Sequence, residues 1–260
     1  MSTHALVLDF DGVICDSIDE CFASSWAAYH HLYLGRHPAY MPVSLRRDFA
    51  RLRPLVRGGA DFMLIQEMLE KGESASRQFE FDALARGAGD EKLRLFHDLF
   101  YKARAEMLQK DRQSWLAMNR IYPHVAAALS RLPAGAPVYI LSTKKPEFIA
   151  EVLSAKGFEL PRERILYSGS EKKLAIVSNV GREGGFAEAT FVDDQIDHLL
   201  CEEAAPPDVT RRSAPRIRTF LASWGYVKEE WLREPLRVPV LTPQEFPALV
   251  REFARSWISG

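Results

Sequence analysis

Cysteine is scarce: the 260-residue chain has three, Cys15, Cys21 and Cys201. They are too few and too scattered for a disulfide framework, and no CxxC spacing suggests zinc. They read as reduced thiols, as expected of a cytoplasmic protein. Net charge is equally scarce, since 34 basic and 35 acidic residues leave −1 at pH 7. No global field points to nucleic acid or an anionic membrane, although a neutral protein can still hold a local site for a small anion. Long apolar runs are missing too, and none approaches the length of a membrane span. The short apolar run near the start is cut by Asp9 and Asp11, and no basic segment precedes it, so it does not read as a signal peptide. There is no internal repeat and no low-complexity tract. What remains is ordinary globular composition, 47% hydrophobic and 27% charged. That suits one large domain, or one domain carrying a smaller insert.

Ala5-Leu6-Val7-Leu8 is a continuous apolar run that ends in Asp9, the pattern of a buried parallel strand. Asp11-Gly12 then turns the chain. Ser17-Ile18-Asp19-Glu20 has the form of a capping box. A helix is expected to follow, with Ile18, Cys21, Phe22, Ser25, Tyr29 and Leu32 on one face and Gly35 as its stop. Segments near 44–53, 59–71, 75–86 and 90–117 also show helical spacing, and a flexible break is expected at Gly58-Gly59. Beyond Pro123 the elements alternate. Helices are expected at 124–132, 147–156, 171–180, 195–203 and 243–255, and strands at 138–141, 164–167, 190–192, 217–221 and 238–241. This is the pattern of an α/β fold: a Rossmann-like parallel sheet with helices on both faces. The first strand must join that sheet, so residues 1–16 and 118–260 are expected to form the core. Residues 17–117 are then an inserted all-helical cap domain.

In open parallel sheets ligands bind at the carboxyl ends of the strands. Four polar clusters are expected there: Asp9-Phe10-Asp11-Gly12, Ser142-Thr143, Lys172-Lys173 at a helix start, and Asp193-Asp194 with Asp197 just beyond. Each alone has a bland explanation, because Asp, Ser and Thr cap helices and a lysine near a helix start is usually solvated. Together, and in this order, they resemble the motifs of the haloacid dehalogenase superfamily: DxDG after an apolar strand, a strand ending in Ser or Thr, a lysine at a helix start, and a strand ending in an acidic pair. The resemblance covers the chain outside the helical insert, which falls where that family carries its cap of the first type. Phosphoglycolate phosphatases and β-phosphoglucomutases are of this kind.

The resemblance implies a hydrolase acting on phosphoric monoesters through an aspartyl-phosphate. Asp9 would be the nucleophile and Asp11 the acid and base, and Mg²⁺ would be held by Asp9, Asp194, the Asp11 carbonyl and directly or indirectly Asp193. Ser142, and the amide of Thr143, would bind phosphoryl oxygens, and a lysine would offset their charge. Lys173 is preferred over Lys172, because Leu174, Ile176, Val177 and Val180 place it at the head of a buried stripe. Since Asp11 is an acid, the leaving group is expected to be an oxygen that needs a proton. Within the expected cap, Arg53 and Arg57 are the candidates for meeting an anionic part of the substrate, against the bland reading of a solvated face. His30, His31, His97 and His124 have no ligand spacing. Cys15 reads as packing, and Trp224-Gly225-Tyr226 as a turn at the sheet end.

The expected partner is a small phosphorylated metabolite, with no nucleic acid and no membrane; a homodimer stays open. Two other activities are weighed. A phosphomutase would use the same intermediate on a sugar phosphate. A phosphorylatable receiver-like signalling module also gathers acids, a Ser or Thr and a Lys, but its phospho-acceptor lies on a later strand and it lacks so long an insert.

Overall fold

A computed structural model describes residues 4–36, 41–200, 215–233 and 238–259. Cys201 and the end of the helix expected at 195–203 lie outside the described residues. The chain divides into two compact units, residues 1–16 with 121–260, and residues 17–120. The second boundary falls three residues later than expected, so that Met118, Asn119 and Arg120 lie in the second unit.

The first unit is built on a six-stranded parallel sheet. Its strands are β1 (His4–Leu8), β4 (Val138–Ser142), β5 (Ile165–Tyr167), β6 (Glu188–Asp193), β7 (Arg216–Ala222) and β8 (Val240–Leu241), in the order β5-β4-β1-β6-β7-β8. Two short strands, β2 (Cys15–Asp16) and β3 (Arg120–Ile121), form a separate ladder. The helices of this unit are α7 (Pro123–Leu129), α8 (Pro146–Ala155), α9 (Lys173–Gly184), α10 (Ile196–Leu199), α11 (Glu229–Arg233) and α12 (Phe246–Ser259). Every residue of β1 is buried, as a central strand covered on both faces must be. Ala5 and Val7 join Phe191, Leu141 and Leu221 in a cluster with Val177 and Val180 of α9 and with Ile196 and Leu199 of α10. The alternate residues point the other way. The His4 ring lies 5.4 Å from Phe253 of α12, edge to face.

Register sets the site. Leu8 pairs with Val192 on one side and Ile140 on the other. Asp9 and Asp193 follow directly, and Ser142 stands two residues past Ile140, so all three lie at the carboxyl edge of the sheet. The Asp9 amide continues the ladder by donating to the Val192 carbonyl at 2.9 Å.

The second unit is helical, with α1 (Ile18–Leu34), α2 (Arg46–Leu52), α3 (Phe62–Lys71), α4 (Gln78–Ala88), α5 (Asp90–Lys110) and α6 (Arg112–Ala117). Its core is a run of rings: Phe22, Phe49, Phe62 and Phe100 lie 4.9, 5.7 and 5.2 Å apart in succession. Three expectations are corrected here. Ser17 does not form a capping box; its side chain makes no cap hydrogen bond. Glu20 instead turns inward to Arg104 of α5, with contacts of 2.7 and 2.8 Å, and accepts from the Ser24 hydroxyl at 2.6 Å. The single helix expected over 90–117 is two, because Asp111 caps α6 by accepting from the Ser114 amide at 3.0 Å. The Gly58-Gly59 pair is a fixed turn and not a flexible break. The Asp61 carboxylate accepts the amides of Arg57 and Gly58 at 2.8 and 3.1 Å, and a Cβ on Gly59 would meet the Phe100 ring at 3.3 Å.

Glu20 and Arg104 are both fully buried. Such a pair contributes little beyond a well-packed apolar pair, but removing one partner strands the other. Glu20→Ala is expected to destabilise the protein by about 3–5 kcal/mol in urea unfolding. A loss well below 1 kcal/mol would mean that Arg104 finds another partner.

Candidate active site

Four elements supply the site of the first unit. Asp9 and Asp11 follow β1, Ser142 and Lys144 end β4, Lys173 opens α9, and Asp193 and Asp194 end β6. Asp9, Asp193 and Asp194 are buried, and each offers a carboxylate oxygen within 4.8 Å of the others. Lys173, also buried, lies between them. Its Nζ stands 3.0 Å from Asp9 Oδ1 and donates to Asp193 Oδ2 at 2.8 Å. Asp9 Oδ1 has this ion pair but accepts no hydrogen bond. Asp193 is well supplied: besides Lys173, it takes the Gln195 amide at 2.8 Å and faces His198 Nδ1 at 3.2–3.3 Å.

The charges follow from this arrangement. Burial pushes the Asp9 carboxyl above the ordinary carboxylate value; Lys173 opposes the shift, while Asp193 and Asp11 add to it. For Lys173, burial works against the ammonium, but Asp193 and Asp9 more than offset it and hold the group above the usual lysine value. For Asp193, burial also works against charge, and Lys173 with His198 overcomes it, holding the acid well below its usual value. Two neighbouring acids are thus driven apart. Asp193 has its counter-charge, whereas Asp9 is an under-compensated carboxylate with an oxygen to spare. An oxygen-only donor set with an orphaned buried oxygen fits a hard divalent cation such as Mg²⁺.

The loop after β7 fixes Asp194. The Tyr226 amide donates to Asp194 Oδ2 at 2.6 Å, the Tyr226 hydroxyl donates to Asp16 at 3.1 Å, and Trp224 Nε1 donates to the Val13 carbonyl at 3.0 Å. Two glycines make room. Gly12 has φ +92°, and a Cβ there would sit 1.9 Å from Asp194 Oδ2. A Cβ on Gly225 would sit 2.4 Å from the Asp194 Cβ and 2.6 Å from the Gly12 carbonyl. The DxDG glycine is therefore needed twice, for its backbone conformation and for the approach of the acid.

Of the residues singled out from sequence, Asp9, Asp11, Ser142, Lys173, Asp193 and Asp194 come together here. Thr143 follows Ser142 at the strand end, half-buried. Lys172 and Asp197 are exposed, and Asp197 is not among the clustered acids. Arg53 and Arg57 are engaged within the helical unit. Arg57 grips Asp82 at 2.6 and 3.3 Å. Arg53 lies 5.3 Å over the Phe62 ring and donates to the Val56 carbonyl at 3.4 Å. Two participants escaped the sequence reading, His198 and Lys144, while the Trp224-Gly225-Tyr226 turn reaches the site through the Tyr226 amide. Lys144 is buried, and its Nζ donates to Asp11 Oδ1 at 3.0 Å.

No protein-family model and no curated protein matches the chain. Solved structures do. A protein assigned as a phosphoglycolate phosphatase, from Lactobacillus delbrueckii subsp. bulgaricus, is 13% identical with a TM-score of 0.63, over 96% of this chain and 99% of that one. A predicted phosphatase from Clostridium acetobutylicum is 13% identical with a TM-score of 0.58, over 97% and 99%. A haloacid dehalogenase-like hydrolase from Streptococcus pneumoniae is 14% identical with a TM-score of 0.54, over 94% and 97%. Identities this low speak for the fold. It is that of the haloacid dehalogenase-like hydrolases: a Rossmann-like parallel sheet surrounded by helices, with an inserted helical unit.

Proposed function

We propose that this chain is a Mg²⁺-dependent phosphatase that hydrolyses a small phosphate monoester through an aspartyl-phosphate on Asp9. The observation that carries the reading is the placement of Lys173 between Asp9 and Asp193, 3.0 and 2.8 Å away, beside a third carboxylate, Asp194, at the carboxyl edge of the sheet. The fold it shares with named phosphatases supports the same reading.

In this mechanism an Asp9 oxygen attacks phosphorus while the bond to the leaving oxygen breaks. Asp11 gives that oxygen its proton, and the alcohol departs. A water then loses a proton to Asp11 and attacks the acyl-phosphate, which releases inorganic phosphate and restores Asp9. Ser142 Oγ accepts the Lys144 amide at 3.3 Å, which leaves its own O–H to donate to a phosphoryl oxygen, with the Thr143 amide as a second donor. Lys173 offsets the charge that Asp9 and the phosphoryl group share. Asp9, Asp194 and the Asp11 carbonyl would hold Mg²⁺, while Asp193 orients Lys173. Bound there, the ion supplies positive charge that lets the carboxylate and the phosphate dianion approach.

The cap is the natural place for substrate choice, because it is not part of the chemistry. Arg53→Ala or Arg57→Ala is expected to raise KM for the true substrate by ~10-fold or more while sparing a generic aryl phosphate, which has no second anionic group to hold. Equal effects on both substrates would assign the arginines to folding; in the case of Arg57 that would be through Asp82. The reading as a whole is tested by a screen of phosphate-ester turnover with and without Mg²⁺. Metal-dependent release of phosphate is expected, and failure on every ester class would reject it.

A further inference from the structure

We propose that Lys144 is a second working lysine of the site, a positioning residue that aims Asp11 at the leaving oxygen. This rests on the reading above, in which Asp11 transfers that proton. Lys144 stands two residues past Ser142. Its side chain is 1% exposed, runs 5.4 Å from the centre of the Phe10 ring, and ends on Asp11 Oδ1 at 3.0 Å. The two residues are 133 positions apart, so the contact is made by the fold and not by local sequence.

A buried ammonium has one reason to be tolerated, which is a partner that keeps it charged and bonded. Here the partner is the acid whose placement decides whether a proton reaches the substrate. Asp11 follows Asp9 by two residues on a loop rather than on the strand, so the sheet alone does not fix its rotamer. Lys144 does, from the end of β4, through a charge-assisted bond. The oxygen it holds is Oδ1. Lys173 performs a different task, since its two ion pairs go to Asp9 and Asp193. The site thus divides its two buried cations between nucleophile and acid.

A role confined to Asp11 has a signature that a merely structural ion pair lacks. An alkyl phosphate leaves as a strong base and needs the proton; p-nitrophenyl phosphate leaves without it. The quantity to compare is kcat/KM, which covers the steps up to loss of the leaving group and so excludes the later use of Asp11 as a base. Lys144→Met is expected to lower kcat/KM by ~10²-fold on the alkyl phosphate best turned over in the screen, and by less than ~3-fold on p-nitrophenyl phosphate. In an Asp11→Asn background it should cost nothing further. Equal losses on both esters, no loss on either, or additive losses in the double variant would each overturn the proposal. If Lys144→Met fails to melt cooperatively, Lys144→Arg keeps the charge while displacing it, and the same split at smaller size is expected. The parent reading fails separately: if Asp9→Asn keeps its turnover, the mechanism is wrong. If Asp9→Asn is dead and the ester split is absent, only the role of Lys144 is wrong.

Discussion

Asp9→Asn is expected to lower kcat by at least ~10³-fold while leaving the protein no less stable. The loss follows from chemistry, since an amide is neither a nucleophile toward phosphorus nor a strong ligand for a hard cation. The stability follows from the surroundings. Burial pushes the Asp9 carboxyl upward against the pull of Lys173, and the neighbouring Asp193 and Asp11 add to the shift. Removing its charge relieves that crowding, and Lys173 keeps its 2.8 Å bond to Asp193. Kinetics and thermal melting on the same sample check both halves. A variant that melts well below the parent would make its inactivity uninformative, and one that turns over at a near-native rate would contradict the mechanism.

Stripping divalent metal with EDTA is expected to abolish turnover, by ~10²-fold or more, and restoring Mg²⁺ to recover it. Three carboxylates reach within 4.8 Å of one another, and two cations already serve particular acids: Lys173 is shared by Asp9 and Asp193, and Lys144 is bound to Asp11. Asp194 accepts the Tyr226 amide at 2.6 Å. The cluster therefore carries an excess of negative charge until a cation arrives, and an incoming phosphate dianion adds to it. Mg²⁺ should accordingly raise Tm as well as activity, because it binds the folded chain and not the unfolded one. Ca²⁺ should replace it poorly in turnover, since its larger and looser shell accepts both oxygens of one carboxylate and ties up the nucleophile. Full activity in metal-free protein would rule out the metal site.

Much of this arrangement was legible from one strand. Ala5 to Leu8 is apolar without alternation, which places it between helices on both faces, and its register with β4 and β6 then brings Asp9 beside Ser142 and Asp193. The preference for Lys173 over Lys172 came from the apolar stripe that follows it, and that stripe is what packs α9 on the sheet. What sequence could not reveal were partners made by distance. Glu20 has the spacing of a cap residue but finds Arg104, 84 positions away, because burial with a full counter-charge outcompetes a local hydrogen bond. Lys144 was not singled out from the sequence. Its one local clue was that it stands an even number of residues past Ser142, on the same side of the strand end. His198 reaches back from α10 to Asp193, a contact that no sequence spacing marks. The Tyr226 contact with Asp194 uses a backbone amide, which side-chain patterns never report.

The central claim is a covalent bond between phosphorus and Asp9, and trapping it is the most direct test. The enzyme is mixed with excess substrate and Mg²⁺, quenched in acid within a turnover, digested and mapped by mass spectrometry. The phosphoryl group is expected on the peptide that contains Asp9, removable by hydroxylamine as an acyl-phosphate should be, and absent from Asp9→Asn. A phosphoryl group on another residue of an actively turning-over enzyme would contradict the account. So would net inversion of configuration at phosphorus with a chirally labelled ester, because two successive displacements through Asp9 require retention.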